Sequence, residues 1–445
     1  MAISFPTVAE WTGYLETLSP PETIHLGLER MRELLERLSW RPEELPVITV
    51  GGTNGKGSTV ALLESILRHA GYRVGAYLSP HLLRYHERIR IEGQDIGEAA
   101  LCAGMTAVEQ ARGDLPLTFF EFGTAVALWV FREAPVDLAV LEVGLGGRLD
   151  AVNAVDPLAA AVTRIGIDHV EWLGPDRESI GVEKAGIFRS GRPAIVGDPA
   201  PPRSLSDVAG RLGADLWLRG VDFDGGVDGR SGSWSYRGRK IQYRELPAPG
   251  LAGSIQYGNA ATALALLESL NARWPVDEPA IRAGLVHARL AGRFEWRQWD
   301  SGPAWCLDVA HNPQAAGVLA DELSRRAAGI PCHLVFGMMR DKDLEGFIEP
   351  FVPLVDVFHP VGLPPPRGLG LEELTERLHA RLPYARIEPW EDLPEAVMHC
   401  RQLPEPNAVY VVTGSFRTLE RMIPLIESMC PSAVSGMPIL EPSRT

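Results

Sequence analysis

Short, almost wholly apolar runs alternate with longer segments of helical periodicity through the first 170 residues. The apolar runs predict strands at residues 47–50, 73–78, 136–143 and 159–163. Apolar residues at helical spacing predict helices at residues 26–38, 60–67 and 120–131. Continuous apolar strands are typical of parallel sheets with helices on both faces, joined by right-handed crossovers. The pattern therefore predicts an N-terminal α/β domain built on a parallel sheet.

The pattern changes between residues 221 and 243, where aromatic residues alternate with Gly, Ser and Arg. This stretch predicts an antiparallel hairpin that decorates the first domain, which helices at residues 259–271 and 278–286 then close. A second alternation follows, with predicted strands at residues 304–309, 332–336, 355–358 and 408–412. We expect a smaller Rossmann-like α/β domain here, and we place the two domains at residues 1–292 and 293–445.

Length and charge agree with two soluble domains and exclude some partners. The 445 residues exceed the roughly 250–300 at which one core usually stops growing. A net charge of −14, without any dense basic run, argues against nucleic acid as a partner. The N-terminus lacks a secretory signal, and no apolar run is long enough to span a bilayer. We therefore expect a cytoplasmic protein that binds no membrane.

A glycine-rich loop at residues 52–58 lies between the predicted strand 47–50 and the predicted helix 60–67. In that position backbone amides can hold phosphate oxygens while a lysine offsets their charge, so we expect ATP binding. The candidate ligands of the phosphates are Asn54, Gly55, Lys56, Gly57 and Ser58. A tight glycine turn without a ligand is the alternative. Gly57 stands where the strict phosphate-loop pattern has the hydroxyl that binds magnesium.

Another group must then complete the magnesium shell, which favours oxygen ligands. Ser79, Glu142 and His169 each follow or end a predicted strand of the first sheet. Taken singly, Ser79 would be a turn cap and His169 an ordinary loop histidine. Their shared position at the carboxyl ends of strands, where open sheets bind ligands, favours a metal site.

Several separate runs together resemble one family. They lie at residues 52–58, 79–82, 141–150, 168–174, 256–259, 292–295 and 308–313. In sequence and order these runs resemble the motifs of folylpolyglutamate synthase and dihydrofolate synthase, members of the Mur superfamily of ATP-dependent amino-acid ligases. The resemblance covers nearly the whole chain. It implies that ATP converts a dihydropteroate or folate carboxylate into an acyl phosphate, which the amino group of L-glutamate then attacks.

The resemblance also implies roles for particular residues. Magnesium would be held by Ser79, Glu142 and His169, and the nucleotide by residues 54–58 with Asn259, Arg293 and Asp308. Catalytic roles would fall to Lys56, to His311 and to Lys184, which the family carries as a carbamate. The pterin substrate would contact Thr118, Phe119, Phe120, Glu121, Leu149, Asp150 and Ala151.

Simpler interpretations stand beside these roles. Lys184 could be a surface helix lysine, Arg293 a linker salt bridge, and His311 a helix N-terminal residue. Phe119 and Phe120 could stack on a pterin, but Phe120 could equally belong to the core. The sequence of residues 307–313 resembles that of bifunctional forms, which favours both the dihydrofolate synthase and the folylpolyglutamate synthase activity. The resemblance also implies a monomer.

Two rival functions remain in view at the level of sequence. A Mur ligase acting on another carboxylate, such as a nucleotide-linked muramoyl peptide, would be expected to carry a uridine-nucleotide domain ahead of the glycine loop. Only about fifty residues precede that loop here. An ATPase without a small acceptor would leave Arg293, Asp308 and His311 without a role.

Overall fold

The computed structural model describes residues 3–20, 23–41, 44–227, 233–298, 302–402, 408–429 and 434–435. The chain divides into two units, one of Met1–Leu251 with Ile255–Leu290 and one of Ala252–Ser254 with Ala291–Thr445. The assignment of functions to domains at residues 1–292 and 293–445 stays a prediction. None of the described helices is long and apolar enough to cross a membrane.

Eight of the described strands form the main sheet of the first unit. They are β1 (Val47–Gly51), β2 (Val74–Tyr77), β3 (Ile89–Ile91), β4 (Gln94–Asp95), β5 (Leu138–Glu142), β6 (Ala159–Val162), β7 (Pro193–Val196) and β8 (Asp215–Leu218). Their order is β4-β3-β2-β5-β1-β6-β7-β8. β1 lies between β5 and β6 and is parallel to both. The sheet is mixed rather than wholly parallel, because β3 and β4 turn back antiparallel at one edge.

Helices cover both faces of this sheet. They are α1 (Val8–Leu18), α2 (Glu29–Arg37), α3 (Lys56–His69), α4 (Glu98–Arg112), α5 (Phe119–Glu133), α6 (Val170–Leu173), α7 (Arg177–Ala185), α8 (Arg203–Leu212), α9 (Ile255–Leu270) and α10 (Glu278–His287). Along β5, Leu138 and Val140 enter the core that includes α3 and α9, whereas Ala139 and Leu141 enter the core that includes α1, α2, α4 and α5. Burial on both faces explains why the strand is continuously apolar.

The predicted hairpin region is a three-stranded antiparallel sheet. Its strands are β9 (Asp224–Val227), β10 (Trp234–Arg237) and β11 (Gln242–Leu246), in the order β11-β10-β9. The antiparallel prediction is confirmed, although β9 adds a third strand, and residues 228–232 lie outside the described residues. Trp234 and Tyr236 are fully buried in the core that includes α3 and α9. Their alternation in sequence with polar residues is therefore the signature of a sheet with one buried face.

The second unit has a smaller mixed sheet of seven described strands. They are β12 (Glu295–Gln298), β13 (Ala304–Leu307), β14 (Cys332–Phe336), β15 (Val357–Pro360), β16 (Arg386–Ile387), β17 (Val409–Thr413) and β18 (Val434–Ser435), in the order β16-β15-β14-β17-β13-β12-β18. The helices are α11 (Pro313–Arg326), α12 (Leu344–Ile348), α13 (Leu371–Arg381), α14 (Leu393–Gln402) and α15 (Phe416–Met429). Strands β13 to β17 are parallel, as predicted for a Rossmann-like domain, and β12 is antiparallel.

A buried histidine pair links two strands of the second unit. Nδ1 of His333 lies 2.9 Å from Nε2 of His359, and the rings are stacked within 5° of parallel. Nδ1 of His359 donates to the carbonyl of Glu388, because a carbonyl only accepts. In the neutral His359 ring, Nε2 must therefore accept from His333. Burial first, and then the neighbouring His333 and Arg386, lower the pKa of His359 to about 4, although Glu388 opposes this shift.

We expect the second unit to lose stability as the pH falls from about 6.5 to about 4. The pKa of His359 is lower in the folded state than in the unfolded chain, so protons favour unfolding below the unfolded pKa of about 6.5. A depression of this size corresponds to about 3 kcal/mol once the pH is below both values. Urea unfolding at pH 7.5 and pH 5 should reveal the loss. The His359→Asn variant, which keeps a donor toward Glu388, should have a flatter pH dependence, and an equally steep one would contradict this assignment.

Candidate active site

The glycine loop joins the central strand β1 to the first turn of α3. Gly55 is the N-cap residue of α3 and has φ of 94°. It lies so close to Asn259 that a Cβ atom on Gly55 would be 2.6 Å from Oδ1 of Asn259. A side chain at this position is therefore excluded by both backbone conformation and space. No side chain caps the first turn of α3, whose free amides make an anion site. Lys56 begins the helix, and its Nζ donates to the carbonyl of Thr53 at 3.2 Å.

Residues that follow β6 hold the loop in place. The backbone amide of Thr53 donates to the carbonyl of Arg164 at 2.7 Å, and Asn54 pairs with Arg164 in an isolated antiparallel bridge. The buried hydroxyl of Thr163 lies 2.8 Å from the carbonyl of Asn54. Thr163 was not among the predicted site residues. Its signal in the sequence was a hydroxyl residue at a strand end, as at Ser79.

The structure brings together two of the three predicted metal ligands. Glu142 ends β5, is only 4% exposed, and accepts from the backbone amide of Ser79 at 3.1 Å through Oε2. β5 is parallel to β2, so the residues after these neighbouring strands meet at one edge. A buried carboxylate beside a serine, whose hydroxyl is a second oxygen donor, suits a hard cation that keeps several waters. This donor set therefore fits magnesium.

His169 is the third predicted metal ligand. This residue has φ of 50°, precedes α6, and places Nε2 4.0 Å from the carboxylate of Asp168. Among the described residues, no group of three or more His, Cys, Asp or Glu side chains could hold a metal ion. The participation of His169 with Ser79 and Glu142 stays a prediction.

Lys184 lies under the glycine loop. It is 4% exposed on α7, and its Nζ donates to the carbonyl of Gly52 at 2.9 Å. The alternative of an ordinary surface lysine is therefore wrong. Burial first, and then the charge of Lys56, lower the pKa of Lys184 to about 7, while Asp168 and Asp150 oppose the shift. A large fraction of this amine is consequently uncharged near neutral pH.

The segment at Leu149, Asp150 and Ala151 lies close to Lys56 and Lys184. The carboxylate of Asp150 is buried and accepts from the backbone amides of Leu145 at 2.8 Å and Val152 at 3.0 Å. Burial raises the pKa of Asp150 to about 6, although these amides and Lys56 oppose the shift. The carbonyl of Leu149 accepts from Gly27 at 3.3 Å, and Ala151 is buried. The three residues thus form the fixed turn that follows β5.

The segment Thr118 to Glu121 starts α5. Thr118 and Glu121 form a capping box, and Glu121 also makes a 2.8 Å salt bridge with Arg30. Phe119 is 6% exposed and belongs to the hydrophobic core. Phe120 is partly exposed, and its ring packs so closely on Gly144 that a Cβ there would lie 2.5 Å away. Phe120 is therefore the better placed of the two rings to stack on a flat heterocycle.

In the second unit, two predicted residues, Arg293 and His311, lie near the ring of Phe416. The guanidinium of Arg293 lies 5.4 Å from the ring centre, and the ring of His311 lies 6.3 Å from it. Nδ1 of His311 donates to the carbonyl of Val309, which leaves Nε2 pointing away from that contact. Phe416 begins α15 and was missed in the sequence because no motif marks it.

Asp308 directly follows β13, and two backbone amides donate to its carboxylate. Its carboxylate accepts from Phe294 and from Ala310, each at 2.8 Å. Burial raises the pKa of Asp308, and the charge of Arg293 opposes that shift. The structure thus places Arg293, Asp308 and His311 at the carboxyl edge of the second sheet, where open α/β sheets bind ligands.

Comparison with protein families assigns both units. The Mur ligase middle domain matches residues 50–197, and the Mur ligase glutamate ligase domain matches residues 292–416. The chain is 43% identical over 421 residues to dihydrofolate synthase/folylpolyglutamate synthase of Escherichia coli (strain K12). That similarity covers 95% of this chain and 96% of the relative.

Solved structures agree with these matches. The structure of E. coli FolC in complex with DHPP and ADP is 42% identical, with a TM-score of 0.86, over 95% of this chain and 98% of that one. A bifunctional folylpolyglutamate synthase/dihydrofolate synthase with Mn, AMPPNP and L-glutamate bound is also 42% identical. Its TM-score is 0.85, and the match covers 96% of this chain and all of that one.

Proposed function

This chain belongs to the dihydrofolate synthase/folylpolyglutamate synthase family of Mur ligases, and we propose how its own residues perform the ligation. It is an ATP-dependent ligase that joins L-glutamate to the carboxylate of dihydropteroate or a folate. The observation that carries the proposal is the buried carboxylate of Glu142, which accepts from the amide of Ser79 at the same sheet edge as the glycine loop.

The reaction has two steps, the phosphorylation of the substrate carboxylate and the attack of glutamate on the acyl phosphate. A carboxylate oxygen of the substrate attacks the γ-phosphorus of ATP, and the bond to the departing ADP oxygen breaks. The unprotonated amino group of glutamate then attacks the acyl carbon, inorganic phosphate leaves, and the nitrogen loses a proton. Because a free carboxylate is a poor electrophile, phosphate supplies the leaving group. The protein's task is to place three anions together and offset their charge.

Residues of the first unit handle the phosphates. The free first-turn amides of α3 and the Lys56 ammonium bind the triphosphate, while the bonds from Thr53, Thr163 and Arg164 keep the loop rigid. Such rigidity matters because amides aimed in advance at developing charge need no reorganisation during the reaction. Residues 54–58 and Asn259 are the contacts that we assign to the nucleotide, with Asn259 facing the base.

Ser79, Glu142 and His169 would hold magnesium, which when bound offsets charge on the phosphate oxygens. In this arrangement Glu142 supplies the negative charge, and its bond from the amide of Ser79 fixes the direction of the carboxylate. The remaining shell is expected to be water, as is usual for magnesium. His169, the residue that precedes α6, would add a nitrogen ligand.

Lys184 is proposed to act as its carbamate. An amine with a pKa of about 7 is substantially unprotonated, which is the form that attacks carbon dioxide. The new bond joins Nζ to the carbon of carbon dioxide, and Nζ releases one proton. The carbamate nitrogen keeps one hydrogen, so the bond to the carbonyl of Gly52 can persist. The product places an anionic oxygen beside Lys56, where a second ammonium would be repelled.

Arg293, Asp308 and His311 are proposed to complete the reaction from the second unit. Arg293 and Asp308 would contact ATP, and His311 would face the transferred phosphate and the incoming glutamate. Their common support is the convergence of Arg293 and His311 on Phe416 and the fixed direction of the Asp308 carboxylate. For the pterin, Phe120 would supply the stacking ring, and Thr118, Glu121 and Asp150 the fixed polar frame. Phe119, Leu149 and Ala151 would shape the pocket from behind.

One assay separates the possible activities. We expect ATP-dependent phosphate release only when L-glutamate is present together with dihydropteroate or with tetrahydrofolate. Release that ignores both pterins would contradict the folate assignment and favour a simple ATPase. Release with dihydropteroate alone would remove the polyglutamylation activity. Mass spectrometry of the pterin product, with an increase of one glutamyl residue per turnover, provides the matched check.

Further expectations concern the state of the protein in the cell. We propose that it is a monomer and that it acts in the cytoplasm, where ATP and L-glutamate are available, without binding nucleic acid. Light scattering during gel filtration and subcellular fractionation would test the first two proposals. A gel shift with duplex DNA would test the third.

A further inference from the structure

Two arginine side chains lie beside the glycine loop without a role in the scheme above. Arg164 follows β6, and its backbone is bonded to Thr53 and paired with Asn54. Arg219 follows β8, and its Nη1 would lie 2.3 Å from a Cβ atom on Gly258, so it touches the α9 backbone next to Asn259. Both positions belong to the first unit. The two arginines therefore flank the loop and the helix that are assigned to the nucleotide.

The guanidinium of Arg164 lacks a counterion within the part of the chain that the structure describes. Its side chain makes neither a salt bridge nor a hydrogen bond there, although it is partly buried. Burial first, and then the charge of Arg219, lower the pKa of Arg164, and only Asp198 opposes the shift. A charge that is partly desolvated and next to a like charge is unfavourable unless an anion joins it.

The nearby carboxylates are already engaged. Oδ2 of Asp198 accepts from the amide of Ile165 and from Arg177, each within 2.9 Å, and Oδ1 accepts from Ala200. Oδ1 of Asp224 accepts from Arg219 and from the amide of Gly225. Arg219 forms an ion pair with the exposed Asp224, whereas Arg164 forms no ion pair among the described groups. No described carboxylate makes an ion pair with Arg164, so a bound anion would supply the missing negative charge.

We propose that Arg164, supported by Arg219, binds the α-phosphate of ATP. This inference deepens the proposed function and rests on it, because it adds a positioning residue to the same nucleotide site. The first-turn amides of α3 and Lys56 serve the terminal phosphates, and Asn259 serves the base. The backbone of Arg164 is fixed to Asn54 of the loop, and Arg219 lies against Gly258 beside Asn259, so we place the α-phosphate next to these two arginines. A guanidinium also matches the forked geometry of phosphate oxygens.

The proposal is tested by the affinities of ADP, AMP and adenosine in competition with a fluorescent ADP analogue. In Arg164→Gln we expect ADP and AMP to bind roughly tenfold more weakly, as for the loss of one charge-assisted contact, and adenosine to bind unchanged. The affinity of the parent protein for ADP should also fall more steeply with added KCl than that of the variant. Arg164→Lys should restore part of the loss, since it keeps the charge but not the fork.

Arg211→Gln is the matched control, because Arg211 is an exposed residue of α8 in the same unit and its loss changes the net charge equally. It should leave all three affinities unchanged. An equal loss for adenosine would mean that Arg164 stacks on the base, and unchanged affinities would mean that it has no nucleotide role. Either result overturns the proposal. Absence of ADP binding in the parent protein would instead overturn the proposed function.

Discussion

Replacing Glu142 by glutamine is expected to lower kcat at least about 100-fold, which corresponds to about 2.7 kcal/mol of transition-state stabilisation. The carboxylate is buried at the end of β5, and its negative charge is the feature that suits a divalent cation. Glutamine has nearly the same shape and can still accept from the amide of Ser79. The fold should therefore survive while the charge is lost.

Three measurements distinguish this effect from misfolding. Phosphate release gives kcat, thermal unfolding reports stability, and electron paramagnetic resonance reports Mn²⁺ binding in the presence of ADP. Glu133→Gln is the control, because Glu133 is exposed at the end of α5 and its ion pair among the described residues is with its neighbour Arg132. It should keep activity within about twofold, as expected for an exposed ion pair. Normal turnover and normal Mn²⁺ binding in Glu142→Gln would mean that the metal site lies elsewhere.

Removing the side chain of Lys184 is the second change with a large expected effect. Lys184→Ala should lower kcat about 100-fold or more, because it deletes both the anionic carbamate and the bond to the carbonyl of Gly52. Added acetate or propionate should restore part of the activity, since a small carboxylate can occupy the vacated space. Lys184→Arg should be inactive and should not respond, because a guanidinium keeps its positive charge and forms no stable carbamate.

Carbon dioxide itself provides the decisive measurement for Lys184. Enzyme prepared in buffers free of carbon dioxide should lose activity, and bicarbonate should restore it. A carbon-13 resonance from labelled bicarbonate should appear in the parent protein and be absent in Lys184→Ala. With the pKa near 7, reloading should be slower at pH 6 than at pH 8, where the amine is unprotonated. Full activity without carbon dioxide, and no labelled signal, would mean that Lys184 acts as an amine.

The alternation of apolar runs and helical periodicity predicted most elements of the first unit. The strand predicted at residues 47–50 is β1, and the helix predicted at residues 120–131 lies within α5. These segments are buried on both faces or along one stripe, so their hydrophobic pattern reports their structure directly. The edge strands β3 and β4 escaped prediction because they are only three and two residues long. At that length no periodicity can be recognised.

The candidate site was recoverable in part for a similar reason. Glu142 and Ser79 could be grouped because the ends of parallel strands share one edge, and the structure places the amide of Ser79 on the Glu142 carboxylate. Thr163 and Phe416 were missed, since a single threonine or phenylalanine carries no spacing signal. Whether Phe120 stacks on the pterin or belongs to the core could not be decided either, because the helix that it begins is apolar on most sides.

The sequence by itself determined the fold class, the position of the glycine loop between a strand and a helix, and the family, because hydrophobic periodicity and short motifs are local properties of the chain. Only the tertiary structure decided which groups are desolvated and which charges are neighbours. The family resemblance had already proposed a carbamate at Lys184, and the burial of this lysine under Gly52 and its proximity to Lys56 supply the physical reason for it. Arg164 became a candidate for phosphate binding only when nearby carboxylates proved to be engaged. Burial and charge proximity join residues that are far apart in sequence, so they arise from the fold rather than from any single segment.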